Sequence, residues 1–238
     1  MTENKVIIAL DLSNLEKMRK VVSELSPHTG FFKIGLEMFI GFGPDVVREV
    51  VEQKGHVMLD LKLHDIPNTV KKATKNAASL GAELLTIHTT GGSEMMKAAR
   101  DAVDEFEQET GKKGPKLLGV TVLTSINQET LENELGVEKQ VTDQVVTLAK
   151  LAQSSGLDGV VSSPKEIEKI REACGEDFLI VAPGIRPAWA SKDDQKRICT
   201  PAEAVKKGAS YLVIGRPVLK AENPVEAIVK INEEIGDQ

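Results

Sequence analysis

The sequence predicts a parallel α/β fold closed as a (β/α)8 barrel, with residues 1–238 forming one domain. Two observations lead there. Short apolar runs alternate with helical-period segments from end to end of the 238 residues, with no linker or low-complexity stretch between them. The polar residues also collect just past the apolar runs, at Asp11, Lys33, Asp60 with Lys62, His88, Thr124 with Ser125, Arg186 and Arg216. Parallel barrels carry their chemistry at the C-terminal ends of the strands. An open doubly wound sheet is the alternative. It calls for a glycine-rich phosphate loop after the first strand, where this chain reads Asp11-Leu12-Ser13-Asn14.

Val6–Leu10 is apolar throughout and reads as a buried strand. Ser13-Asn14-Leu15-Glu16 has capping-box spacing, with Ser13 expected as the N-cap. Leu15, Met18, Val21, Val22 and Leu25 follow at helical spacing. Phe31–Ile34 is the second strand, and Gly43-Pro44 opens a helix with Val46, Val47, Val50 and Val51 inward. The third strand begins at Met58, and its helix runs from Pro67 to Leu80, stopped by Gly81. Glu83–His88 is the fourth strand, followed by a helix over about 93–109. Leu117–Leu123 is the fifth strand, followed by a short helix near 129–135 and a longer one near 141–154. Gly159–Val161, Phe178–Ala182 and Tyr211–Ile214 complete the strands. Three late helices share one start signal: Ser163-Pro164-Lys165-Glu166, Thr200-Pro201-Ala202-Glu203 and Asn223-Pro224-Val225-Glu226. Each offers an N-cap, Pro at the first helical position and Glu at the third.

Composition excludes several classes. Hydrophobic residues make up 41% of the chain, enough for a sizeable core, and the net charge of -6 disfavours nucleic acid as a partner. Cys174 and Cys199 lack the spacing of a zinc site or a disulfide framework and fit a reducing compartment. The N-terminus lacks a signal-peptide core, and no apolar run approaches the ~18 residues of a membrane span. A cytoplasmic protein without membrane contact is expected.

Met58-Leu59-Asp60-Leu61-Lys62-Leu63-His64-Asp65 is the chemical centre of the chain. Asp60 and Lys62 are two apart, so a regular strand would point both to one side. Charges so placed on a buried strand need partners, and Lys33 on the neighbouring strand is expected to pair with Asp60. A hard cation is disfavoured, because Lys33 and Lys62 would already neutralise the carboxylates. His88 is expected to be a satisfied structural histidine, and His64 to face the helices or a second subunit. Arg186 and Arg216 follow strands seven and eight, where barrels bind phosphate. Their guanidinium groups suit phosphate oxygens, and the Gly215-Arg216 backbone would assist. The polar loop Pro187–Lys196 carries the single Trp, Trp189, expected as an anchor, and Gln195, which would reach a phosphate as a lid closes.

Asp60-Leu61-Lys62-Leu63-His64-Asp65-Ile66-Pro67-Asn68-Thr69 resembles the D-x-K-x-x-D-I-P-x-T signature of the orotidine 5'-phosphate decarboxylase family. The likeness extends to Ala9-Leu10-Asp11, Lys33-Ile34-Gly35, Thr124-Ser125, Pro183-Gly184-Ile185-Arg186 and Ile214-Gly215-Arg216-Pro217. The first six positions alone are shared with metal-dependent sugar-phosphate enzymes of the hexulose-phosphate synthase type, a lyase or aldolase class that is the alternative. The resemblance implies cofactor-free decarboxylation of orotidine 5'-monophosphate to uridine 5'-monophosphate, the last step of its de novo synthesis. It implies that Lys62 protonates C6, framed by Asp60 and by Asp65 from the second subunit of a homodimer. It also implies ribose contacts from Lys33, Asp11 and Thr69 and a pyrimidine contact from Thr124 or Ser125. Arg186, Gln195, Gly215 and Arg216 would hold the phosphate, with no metal and no organic cofactor.

Overall fold

The computed structural model describes residues 4–190 and 199–236. Among them eight strands form one closed, wholly parallel barrel: β1 (Val6–Ala9), β2 (Phe31–Gly35), β3 (Val57–Leu63), β4 (Leu84–His88), β5 (Lys116–Val120), β6 (Gly159–Val161), β7 (Leu179–Pro183) and β8 (Tyr211–Ile214). Closure comes from β1 pairing with β8, Ile7 lying opposite Val213. Alternation along each strand sorts the apolar residues into two cores. Ile7, Met58, Leu84, Leu118, Val181 and Tyr211 pack inside the barrel. Ile8, Phe32, Leu59, Leu85, Ile180 and Leu212 pack outward against the helices. One inward step above Met58 and Leu84 come Asp60 and Thr86, so the barrel's filling turns polar at its C-terminal mouth.

The surrounding helices are α1 (Leu15–Leu25), α2 (Leu36–Phe42), α3 (Asp45–Glu52), α4 (Pro67–Ala78), α5 (Gly92–Thr110), α6 (Gln128–Asn133), α7 (Val141–Ser154), α8 (Ile167–Cys174), α9 (Pro201–Lys206), α10 (Arg216–Leu219) and α11 (Pro224–Gly236). The expected start signals meet different fates. Thr200 forms a full capping box with Glu203, and Asn223 accepts from the backbone N–H groups of Val225 and Glu226. At α1 the cap is Asn14, not Ser13. Asn14 has the extended backbone of an N-cap, and its Oδ1 accepts the Lys17 N–H at 2.8 Å. At α8 the helix starts only at Ile167. Ser163 closes a preceding turn by accepting the Glu166 N–H at 3.1 Å, which puts buried Glu166 at the cap instead of inside the first turn. Burial pushes the Glu166 carboxyl up. The short helix α10 begins at Arg216 with Gly215 as its cap, where a helix start was expected, whereas the short helix α2 was not foreseen. No helix among the described residues is long and apolar enough to cross a membrane. Cys174 and Cys199 are free thiols.

Candidate active site

Four charges from the first three strands meet at the mouth. Lys62 Nζ lies 2.8 Å from Asp60 Oδ2, and Lys33 Nζ lies 3.6 Å from the same oxygen. Lys33 also donates to Asp11 Oδ1 at 3.2 Å. The side chains of Lys33 and Asp60 are only 12% and 11% exposed, so neither charge is tolerable without its partners. Two cations and two anions balance here. Gly35 makes room for this: a Cβ there would stand 3.0 Å from Lys33 Nζ. Gly215 does the same across the mouth, where a Cβ would stand 3.2 Å from that of Ala9.

Asp60 and Lys62 meet as expected, but not through a regular strand. The pairing of β3 with β4 runs Leu59 to Leu85 and then jumps to Leu63 opposite Ile87. Asp60, Leu61 and Lys62 therefore stand against Thr86 alone, and β3 bulges. Within the bulge Lys62 takes a φ of +52°, the left-handed region. For a residue with a Cβ that conformation costs about 1–3 kcal/mol. Thr86 is fully buried. Its hydroxyl donates to Asp60 Oδ1 at 2.9 Å and accepts the Lys62 N–H at 2.9 Å. Sequence reasoning missed Thr86; the only signal was one hydroxyl in the apolar run Leu84-Leu85-Thr86-Ile87.

A cavity of about 170 Å3 opens above this array, with Lys33, Asp60 and Lys62 on one wall and Val120, Val122, Val161, Pro183 and Val213 on the other. Thr124 and Ser162 also line it, whereas Ser125 does not. Ser162 Oγ is buried without a hydrogen-bond partner among the described residues. A second cavity of about 220 Å3 lies beyond β7 and β8, lined by Arg186, Arg216, Lys220 and Trp189. Arg186 donates its backbone N–H to Cys199 O at 3.1 Å. Trp189 is 47% exposed, so it lines this cavity instead of serving as the buried anchor expected. Gln195 lies outside the described residues.

Asp65 is not part of the array within the chain. Its Oδ1 accepts the Ile66 N–H at 2.6 Å, its side chain is exposed, and it forms no ion pair among the described residues. Thr69, in the first turn of α4, is exposed as well. His88 departs from expectation, because its Nδ1 is buried without a partner among the described residues while its ring lies 5.3 Å from that of exposed His64. Burial, then the His64 and Lys62 charges, hold the His88 imidazole below the usual histidine range. No three His, Cys, Asp or Glu side chains among the described residues gather to hold a metal.

A model of the "Orotidine 5'-phosphate decarboxylase / HUMPS family" matches residues 4–231. The chain belongs to this family. It is similar to the orotidine 5'-phosphate decarboxylase of Geobacter sp. (strain M21), 53% identical over 97% of this chain and 95% of the relative. The enzyme of the same name from Moorella thermoacetica is 50% identical over 98% of this chain and 92% of its own length. Among solved structures, the crystal structure of orotidine 5'-phosphate decarboxylase from Lactobacillus acidophilus superposes with a TM-score of 0.86 at 43% identity, covering 98% of this chain and 99% of that one. Membership of the decarboxylase family agrees with a mouth whose carboxylates are already neutralised by lysines.

Proposed function

We propose that the chain decarboxylates orotidine 5'-monophosphate to uridine 5'-monophosphate without a cofactor, with Lys62 delivering the proton to C6. The observation that carries this is the pairing of Asp60 Oδ2 with the ammonium groups of Lys62 and Lys33 at one wall of the cavity. Loss of carbon dioxide leaves an electron pair on C6 that the pyrimidine ring cannot delocalise. A fixed ammonium beside that carbon stabilises the developing charge and then supplies the proton. Asp60, beside the departing carboxylate, disfavours the charged ground state and holds the Lys62 ammonium 2.8 Å from its Oδ2. The apolar wall suits the neutral carbon dioxide and the face of the base, and Thr124 is placed for a polar contact with it. Lys33 and Asp11 take the ribose hydroxyls. Arg186, Arg216 and Gly215, with Gln195 from the loop, hold the phosphate, whose binding energy is drawn on at the reacting carbon.

The working unit in this proposal is a homodimer with composite sites, Asp65 and Thr69 reaching the neighbour's Lys62. Ile66, next to Asp65 in the chain, is 66% exposed, and Leu36 and Ile40 on α2 are exposed at 50% and 77%, apolar side chains that an interface would cover. A two-fold interface uses one such patch twice. Residues 1–238 act as one catalytic domain, in the cytoplasm, where both free thiols persist.

A metal-dependent sugar-phosphate lyase is the rival, and it needs a cation on carboxylates that the two lysines and Thr86 already occupy. The test is the fall in ultraviolet absorbance as orotidine 5'-monophosphate is consumed in EDTA. Full turnover in chelator is expected; loss of turnover that a divalent ion restores contradicts the proposal. Arg216→Ala in the same assay is expected to lose about 1.5–3 kcal/mol of kcat/KM, roughly 10- to 150-fold. It should leave the poor reaction of phosphate-free orotidine unchanged. Equal losses on both substrates would take the phosphate away from Arg216.

A further inference from the structure

The Thr86 hydroxyl touches both halves of the Asp60–Lys62 pair. It accepts from the Lys62 backbone and donates to the Asp60 carboxylate, each at 2.9 Å, and it has no exposed surface. A hydroxyl offers one donor and two lone pairs, so a single side chain can make both bonds. Each bond answers a local need. The bulge removes the ladder acceptor that the Lys62 N–H would otherwise have, and this same residue sits at a φ of +52°. The Asp60 carboxylate has two oxygens and two ammonium neighbours, and both ammonium groups lie on Oδ2. Thr86 occupies Oδ1, which fixes the plane of the carboxylate and so the point where the Lys62 ammonium rests.

We propose that Thr86 is a positioning residue for the decarboxylation: its hydroxyl holds the Lys62 turn and the Asp60 carboxylate in register, so that the ammonium stands at the reacting carbon. This rests on the decarboxylase function proposed above. Thr86 is fully buried and does not line the cavity above the array. Its effect falls on the chemical step, where a displacement of about 1 Å can cost roughly 10²-fold. It leaves alone the remote phosphate contacts that dominate nucleotide binding.

The experiment compares wild type, Thr86→Ser and Thr86→Val for turnover of orotidine 5'-monophosphate, for affinity toward uridine 5'-monophosphate and for thermal stability. Valine keeps the shape and loses both hydrogen bonds; serine keeps the hydroxyl. The expected result is a kcat about 10²-fold lower for Thr86→Val, near-unchanged product affinity, and most of the activity regained in Thr86→Ser. If Thr86→Val does not fold, Thr86→Cys replaces it, because a thiol of similar size is a weak donor and acceptor. A folded Thr86→Val or Thr86→Cys with wild-type kcat overturns the proposal, as does a variant that loses only thermal stability. A wild-type protein that leaves orotidine 5'-monophosphate untouched overturns the decarboxylase function itself. The two failures are therefore distinct.

Discussion

Lys62→Ala is expected to lower kcat on orotidine 5'-monophosphate by at least about 10⁴-fold, or ~5.5 kcal/mol. In the proposed mechanism the substitution removes the general acid and the charge that stabilises the carbanion, which are separately worth about 10²–10⁴ and 10²–10³. The fold should survive. Asp60 keeps Lys33 at 3.6 Å and the Thr86 hydroxyl at 2.9 Å, so its buried charge is not stranded. Binding of uridine 5'-monophosphate should persist, because the proposed ribose and phosphate contacts come from other strands. Steady-state kinetics beside product titration makes the check. Retention of about a tenth of the wild-type kcat, a loss of only ~1.4 kcal/mol, would remove Lys62 from the proton-donor role.

The second large effect concerns Asp65. In the single chain its carboxylate is exposed and bonded to its own neighbour's backbone, away from Lys62. It lies at the start of α4, beside the exposed Ile66. Asp65→Ala and Lys62→Ala should each be nearly inactive alone. After mixing under conditions that exchange subunits, a mixed dimer has one site missing both groups and one site missing neither. Activity should return to roughly one working site per mixed dimer. Exchange demonstrated by mass, with no activity recovered, would place Asp65 in its own subunit's site and end the composite-site model.

How much of this was legible in the sequence depends on the range of the interaction involved. The alternation of strands and helices is local, and it led to the barrel. The clustering of Asp11, Lys33, Asp60 and Lys62 at strand exits was visible because charged residues interrupt apolar runs. The means by which Asp60 and Lys62 meet was not visible. A bulge is a property of pairing with β4, and the left-handed Lys62 follows from that pairing. Thr86 reads as an ordinary strand residue, since threonine fits strands well and its partners lie 24 and 26 positions away. Capping-box spacing to Glu16 pointed to Ser13, but the cap falls one residue later, where the Asn14 side chain accepts the Lys17 N–H directly. The α2 helix went unread because Leu36 and Ile40 stay exposed, so it lacks a clean inward stripe. Asp65 is harder again, for its proposed role belongs to a pair of chains.

The claim at the centre is that charge develops on C6 of the pyrimidine and is quenched there from Lys62. Turnover in D2O, with the product read by proton NMR, tests it most directly. One deuteron at C6 of uridine 5'-monophosphate for each carbon dioxide released is the expected result. A protium-bearing C6, or deuterium appearing instead on a sugar carbon as an enediolate would leave it, would contradict it.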